Sequence, residues 1–447
     1  MKHTIIIFSL LVSTFVYAQK TDKYIKEKDV TRIIQTLAAD DMNGRSAMDE
    51  KSIFKAATFI EKEFKSIGLK PMPGATGFLQ EFTKDKMVAG GEVVIDNEKI
   101  ADDHVIIVTE KMQATITGGL TIKNISVDNS VQNKDQYFFE KAFGAARDTA
   151  SSLVLIAPEF EKNFQEFKAY FKQRFASGRK GLKAFVLGKT TASSYSVVAK
   201  QKIEKVRMAN VVGMLEGKTK KDEMVVFGGH YDHLGKRDTV IYYGADDDGS
   251  GTTSVLELAS AFAKAEAAGK GPRRSIVFMT VSGEEKGLWG SEYYTDHPVF
   301  PLDKTTVDLN IDMVGRIDGT RKQGDSTNYV YVVGDDKVSS DLKVISEAIN
   351  KKYTKVELDY KFNDPKDPQR IYFRSDHYNF AKHGVPIIFY YDGMLDADYH
   401  KPTDTPDKIN YELMVKRDRL IFHTAWEMAN RNDMLKRDIP LEVPKAF

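Results

Sequence analysis

Three stretches of this 447-residue chain carry side chains that could bind a cation and move a proton. The first is Gly228-Gly229-His230-Tyr231-Asp232. A neutral imidazole gives one ring nitrogen to a metal, and its other N–H wants a partner that fixes the tautomer. Asp232 lies two residues from His230, so in an extended segment the two share a face. The second stretch is Gly244-Ala245-Asp246-Asp247-Asp248-Gly249-Ser250-Gly251. Three adjacent carboxylates repel one another unless a cation neutralises them. The loop feeds a helix predicted from Thr252, whose N-terminus accounts for one Asp but not three. Its spacing lacks the alternating ligands of a calcium loop. The third stretch is Ser282-Gly283-Glu284-Glu285. Of two neighbouring carboxylates, one can hold a metal while the other takes a proton from water. Asp312 and His400 add one more candidate each, His400 in a loop before the helix start Thr405-Pro406.

The elements that carry these residues explain how such distant positions could meet. Met224–Phe227, Ser275–Val281, Val307–Ile311, Tyr329–Val333 and Pro386–Tyr390 are apolar runs of strand length, suited to strands buried on both faces. Helical stretches such as Thr252–Ala268 and Ser339–Asn350 alternate with them. That alternation predicts an α/β fold, a mostly parallel sheet covered by helices. Ligands of such sheets bind beyond the carboxyl ends of the strands. His230, Glu284-Glu285 and Asp312 follow three of these strands directly. Upstream, Asp29–Ala39 and Glu50–Ile67 read as helices, the second carrying an apolar stripe and ended by Gly68 and Pro71. Residues 19–85 are therefore read as helices against the main sheet. Residues 86–207 differ: short β-like runs (Glu92–Ile95, His104–Val108, Ala114–Ile122, Ser152–Ala157, Lys183–Leu187) surround a helix at Phe164–Phe175. They are expected to form an inserted smaller domain, leaving 208–447 as the catalytic part.

Composition excludes several classes. Lys plus Arg is 65 and Asp plus Glu 64, so the net charge of +1 gives no footprint for nucleic acid. Without any Cys there are no disulfides, thiolate nucleophiles, Cys-held zinc or lipid anchor at the exit of the leader. Lys2 and His3 precede an apolar run from Ile5 to Val16 that ends at Ala18-Gln19, the form of a secretory signal peptide spanning 1–18. The processed chain is then expected in the periplasm or outside the cell, with no membrane association. Ser375-Asp376-His377 holds triad residue types, but consecutive residues do not make the convergent geometry of a nucleophilic triad. No Gly-x-Ser-x-Gly elbow and no His-Glu-x-x-His helix is present.

Taken in order, His230-Tyr231-Asp232, the Gly244–Gly251 loop, Gly283-Glu284-Glu285-Lys286-Gly287-Leu288-Trp289-Gly290-Ser291, Asn310-Ile311-Asp312-Met313-Val314-Gly315, Ser375-Asp376-His377 and Tyr399-His400 resemble metallopeptidase family twenty-eight. That family comprises the co-catalytic zinc aminopeptidases and their glutamate-carboxypeptidase relatives. The resemblance covers roughly 209–410, with Asn43-Gly44-Arg45 like the family's usual lead-in. It implies a three-layer zinc-peptidase fold and two Zn²⁺ ions per chain. His230, Asp247, Glu285, Asp312 and His400 would be the ligands, with Asp247 bridging. Glu284 would be general base and acid, Asp232 would orient His230, and Tyr399 would steady the oxyanion, with Tyr372 and Tyr390 as rivals. The 86–207 segment is similar to a protease-associated domain. The implied activity is removal of N-terminal residues from peptides. The alternatives are a one-zinc glutaminyl cyclase, a glutamate-carboxypeptidase in which Arg374 or Arg370 holds a substrate carboxylate, and a non-catalytic ectodomain. Oligomeric state is not set by the sequence.

Overall fold

The computed structural model describes residues 22–127, 131–171, 181–395 and 397–441. The signal-peptide reading of 1–18 lies outside them. The chain divides into two units, one made of the residues up to Phe82 and from Met208 onward, the other of Thr83–Arg207.

The first unit is built on an eight-stranded sheet. Its strands in chain order are β1 (Leu79–Val88), β2 (Lys202–Leu215), β3 (Lys220–His230), β4 (Arg274–Val281), β5 (Thr305–Ile311), β6 (Tyr329–Val333), β7 (Glu357–Asp359) and β8 (Ile387–Tyr391). In space they run β1-β2-β4-β3-β5-β8-β6-β7. The central strands β4, β3, β5 and β8 are mutually parallel. β2 and β6 pair antiparallel with β4 and β8, so the sheet is mixed with a parallel centre. The five apolar runs seen in the sequence are β3, β4, β5, β6 and β8, and β4, β5, β6 and β8 are buried along their whole length.

Helices cover both faces. α1 (Glu27–Leu37), α2 (Glu50–Ile67), α3 (Gly249–Ala267), α5 (Leu342–Tyr353) and α7 (Tyr411–Asn430) pack on one side, through Val30, Ile53, Leu258, Leu342 and Ile421. α4 (Trp289–Asp296) and α6 (His377–Lys382) pack on the other, through Tyr294 and Phe380. α2 begins where the Asp49 side chain accepts from Lys51 N and ends at Gly68, whose φ of 90° only glycine adopts freely. One expectation for this unit is corrected: residues 19–85 are not all helical, because Leu79–Val88 is a strand. Its alternating exposed and covered positions follow the two-residue period of a sheet edge. Among the described residues no helix is long and apolar enough to cross a membrane.

The Thr83–Arg207 unit has two four-stranded sheets and helices at Lys134–Arg147 and Glu161–Phe171. The run expected as one strand, Ala114–Ile122, is two: Gln113–Thr117 and Thr121–Ile125 belong to different sheets. Gly118 and Gly119, both at positive φ, break it. The helix expected at Phe164–Phe175 starts earlier, at Glu161, and its last positions lie outside the described residues. The Lys134–Arg147 helix was not anticipated; its buried stripe, Phe138, Ala142, Ala145 and Ala146, is mostly alanine.

Candidate metal centre

Parallel pairing brings the strand ends level. His230 stands opposite Val281 on β4, and Gly228 opposite Asn310 on β5. The residues that follow therefore emerge at one edge. After β4 the chain turns through Gly283, at φ 81°, into Glu284 and Glu285. After β5 it gives Asp312 and then Met313, at φ 55°. His400 arrives from the far loop, itself at φ 56°. A non-glycine residue in that left-handed region costs on the order of 1 kcal/mol.

The Asp triplet divides its work. Asp248 is the N-cap of α3: its Oδ1 accepts from Gly251 N at 2.8 Å and Met313 N at 3.1 Å, and its Oδ2 from His230 N at 3.0 Å. A Cβ on Gly251 would overlap the Ile311 carbonyl, so only glycine lets α3 approach β5 this closely. Asp246 Oδ1 accepts from Gly315 N at 2.8 Å. Asp247 is left to face the cleft, and the Asp247–Asp248 peptide is cis. Its two oxygens look two ways. Oδ1 is 3.3 Å from His230 Nε2, and Oδ2 is 3.2 Å from His400 Nε2. On the first side Asp312 Oδ1 stands 3.6 Å from His230 Nε2. On the second, Glu285 Oε2 stands 3.1 Å from His400 Nε2. Glu284 Oε2 is more remote, 3.8 Å from His230 Nε2.

These spacings suit metal ligands. Two ligand atoms on one tetrahedral zinc, each roughly 2.0–2.1 Å from it, lie about 3.3 Å apart. Asp247 Oδ2 is buried with no hydrogen-bond partner among the described residues, as an atom meant for an ion would be. The charges agree. Burial opposes ionisation of Asp247, yet His230, His400 and His233 hold its carboxyl well below the usual range. Burial and Asp247 push Glu285 up, and contacts with His233 and His400 bring it down to about 2. Burial likewise disfavours a charged His400 ring, but Asp247 and Glu285 raise it to about 9. The imidazoles stand where cations would otherwise balance these carboxylates. Glu284 behaves oppositely: burial first, then Glu285 and Asp312, raise it well above an ordinary glutamate.

Asp232 meets His230 differently from expectation. Its carbonyl oxygen, not its carboxylate, holds His230 Nδ1 at 3.0 Å, and the carboxylate stands 3.8 Å away. Asp232 Oδ1 instead accepts from Glu284 N at 3.2 Å. Because the strand ends at His230, the chain turns there and the extended geometry is lost. Tyr399 stacks on His400 with centroids 3.8 Å apart, and its Oη accepts from Arg374 at 3.0 Å. Tyr399, Arg374 and Tyr391 line the cleft with Met313, Ile371, Phe389 and Leu395; Tyr372 and Tyr390 do not.

Ser375, Asp376 and His377 do not converge as a triad. Ser375 donates to Asp312 Oδ2 at 2.6 Å, which leaves Oδ1 towards His230. Asp376 accepts from Ser291, and His377 Nε2 contacts the Tyr372 carbonyl at 2.8 Å, its pKa lowered to about 3 by burial.

The roles of four residues were not read from the sequence, although Ser375 and Arg45 stand in motifs quoted above. Ser375 is one. Asp404, in the loop that follows His400, accepts from Asp246 N and Asp247 N at 3.1 Å and ties that loop to the triplet. Arg45 is wholly buried and donates to the carbonyls of Tyr231, Leu37, Tyr243 and Gly244 at 2.7–2.8 Å. It thus pins the His230 segment to the loop before Asp247. Its neighbour Gly44, at φ 66°, packs where a Cβ would overlap the carbonyls of Tyr242 and Gly235. His233, three residues after His230, places Nδ1 2.9 Å from Glu285 Oε1.

Residues 210–425 match the model of peptidase family M28. Residues 210–425 are thus a peptidase family M28 domain. A probable leucine aminopeptidase of Arthroderma otae is 30% identical over 239 residues, 52% of this chain and 61% of that protein. The chain thus spans less than two thirds of that relative's length. A probable leucine aminopeptidase 1 of Trichophyton verrucosum is 23% identical over 384 residues, 85% of this chain and 96% of that protein. The solved structure of BSAP, a zinc aminopeptidase from Bacillus subtilis, superposes with a TM-score of 0.55 at 19% identity. That superposition covers 91% of this chain and 96% of the other, and shows a shared M28 fold.

Proposed function

We propose that this M28 chain is an exported aminopeptidase that holds two Zn²⁺ ions and removes apolar N-terminal residues from peptides. The observation that carries the reading is Asp247, whose Oδ1 faces His230 and whose Oδ2 faces His400. His230 and Asp312 would hold one ion, Glu285 and His400 the other, with Asp247 between them. Bound there, the ions would polarise the scissile carbonyl and bring the pKa of a water to about 7. The protein's own groups do the rest. Glu284, beside His230 and raised by its buried surroundings, is suited to take the proton from that water and pass it to the departing amine. Arg374 occupies a lone pair of Tyr399 Oη, which leaves the phenol hydrogen free to donate to the carbonyl oxygen as charge develops there. Ser375, Asp232 and Asp404 hold the reacting groups in position. Met313, Ile371, Phe389 and Leu395 offer an apolar wall to the N-terminal side chain, and the relatives' leucine aminopeptidase names support that preference.

Arg374 in the cleft favours one second reading, a carboxypeptidase in which the guanidinium holds a substrate carboxylate. Zinc-loaded protein assayed on leucyl-p-nitroanilide and on an N-blocked peptide with a free C-terminus separates the two. Turnover of the blocked peptide alone would refute the aminopeptidase. We also read the Thr83–Arg207 unit as a protease-associated-like insertion, because the six proposed metal and proton-transfer residues all belong to the other unit. Charge reversals on its exposed surface should leave kcat on leucyl-p-nitroanilide unchanged; a large loss would contradict this. Export predicts an N-terminus at Gln19 on the secreted protein, and sequencing that returns Met1 would contradict it.

A further inference from the structure

His233 has no part in the five-ligand scheme, yet it lies at the metal edge with its side chain fully buried. Its backbone N donates to the Arg45 carbonyl at 3.1 Å, and Ser46 bridges to it. The ring lies against Gly244, where a Cβ would overlap it. It therefore has little freedom to turn. Nδ1 stands 2.9 Å from Glu285 Oε1 and 3.8 Å from Asp247 Oδ2. Neither ring nitrogen has an aligned hydrogen-bond partner among the described residues, and neither does Glu285 Oε1.

The atoms of His233, Asp247 and Glu285 are close enough for all three to be ligands of one ion. The distances argue otherwise. The two contacts of His400, at 3.1 and 3.2 Å, fit the spacing of about 3.3 Å between ligands on one zinc. Those of His233 fall on either side of it, one at hydrogen-bond length and one too wide. Glu285 is thus approached from both sides, His233 on Oε1 and His400 on Oε2. We propose that His233 is a positioning residue that holds Glu285 by Oε1 so that Oε2 is presented to the second ion. The inference rests on the dinuclear reading above. Partners that orient a ligand in this way commonly change metal affinity by about 10–100-fold when removed.

Chelator competition on full-length, zinc-loaded protein tests it. Wild type is expected to hold two ions. H233A is expected to bind one of them about 10–100-fold more weakly and the other unchanged. H233N is expected to recover most of that loss, because an asparagine amide nitrogen can donate from near the Nδ1 position but is not a zinc ligand. Equal loss in H233A and H233N would make His233 itself a ligand and overturn the proposal, as would unchanged affinity in H233A. If H233A misfolds, H233V, which likewise donates nothing, takes its place beside H233N and is read by the same outcomes. A wild-type protein that holds fewer than two ions would instead refute the dinuclear reading.

Discussion

Replacing Arg45 with methionine should loosen the metal edge before any ligand is touched. The guanidinium is completely buried and meets four carbonyl oxygens, of Leu37, Tyr231, Tyr243 and Gly244. Burial lowers its pKa, while Asp404, Asp248, Asp247 and Asp232 act to raise it, and an arginine keeps its proton under such conditions. Methionine matches much of its length but donates nothing. A buried acceptor left without a partner costs about 1–3 kcal/mol. The cost of burying the charge disappears with the charge, so the four losses do not simply add. A net destabilisation of about 3–5 kcal/mol follows, the range for breaking a buried charged interaction. For a unit of about 300 residues, with an unfolding entropy near 2.1 cal/mol/K per residue, that lowers Tm by roughly 5–8 °C. R45K should recover less than half, since an ammonium cannot span the fork of four carbonyls. Calorimetry of metal-free protein gives the stability term, and chelator competition gives the second effect, weaker zinc binding, because Tyr231 and Gly244 lead into ligand segments. A methionine variant with wild-type Tm and zinc affinity would refute the reasoning.

E284Q should lower kcat by about 10²–10⁴-fold with zinc content unchanged; near wild-type turnover, or loss of an ion, would contradict its role as general base. Y399F should lower kcat by about 100-fold with KM much less affected, and a change confined to KM would show that Tyr399 only binds substrate. Glu257, buried on α3, has its pKa raised to about 8 by burial, with Asp29 and Asp418 adding to it. The folded chain therefore binds that proton more tightly than the unfolded one. Its contribution is full below about pH 4.5 and is lost as pH rises through about 8. E257Q should flatten the pH dependence of unfolding over this window and be more stable than wild type at pH 8 by about 4 kcal/mol at most. Parallel curves for the two proteins would exclude the effect.

What was legible in the sequence was whatever a strand carries to its end. β3, β4 and β5 are apolar runs, and a parallel sheet delivers His230, Glu284-Glu285 and Asp312 to one edge by register alone. His400 has no such rule, because a loop sets its direction, and only its place in a motif pointed to it. Arg45 was illegible for a different reason: its partners are backbone carbonyls, which leave no complementary side chain to read. His233 follows His230 by three residues, but the chain turns at the strand end, so its spacing gives no face. The same turn sends the Asp232 carboxylate to Glu284 N rather than to the imidazole. The strand at Leu79–Val88 was hidden by its charged, half-exposed edge pattern.

Anomalous diffraction at the zinc edge, from crystals of zinc-loaded protein, puts the arrangement to its hardest trial. Two peaks about 3.5–4 Å apart are expected, with Asp247 between them, His230 and Asp312 beside one, and Glu285 and His400 beside the other. A single peak, or peaks away from Asp247, would contradict it.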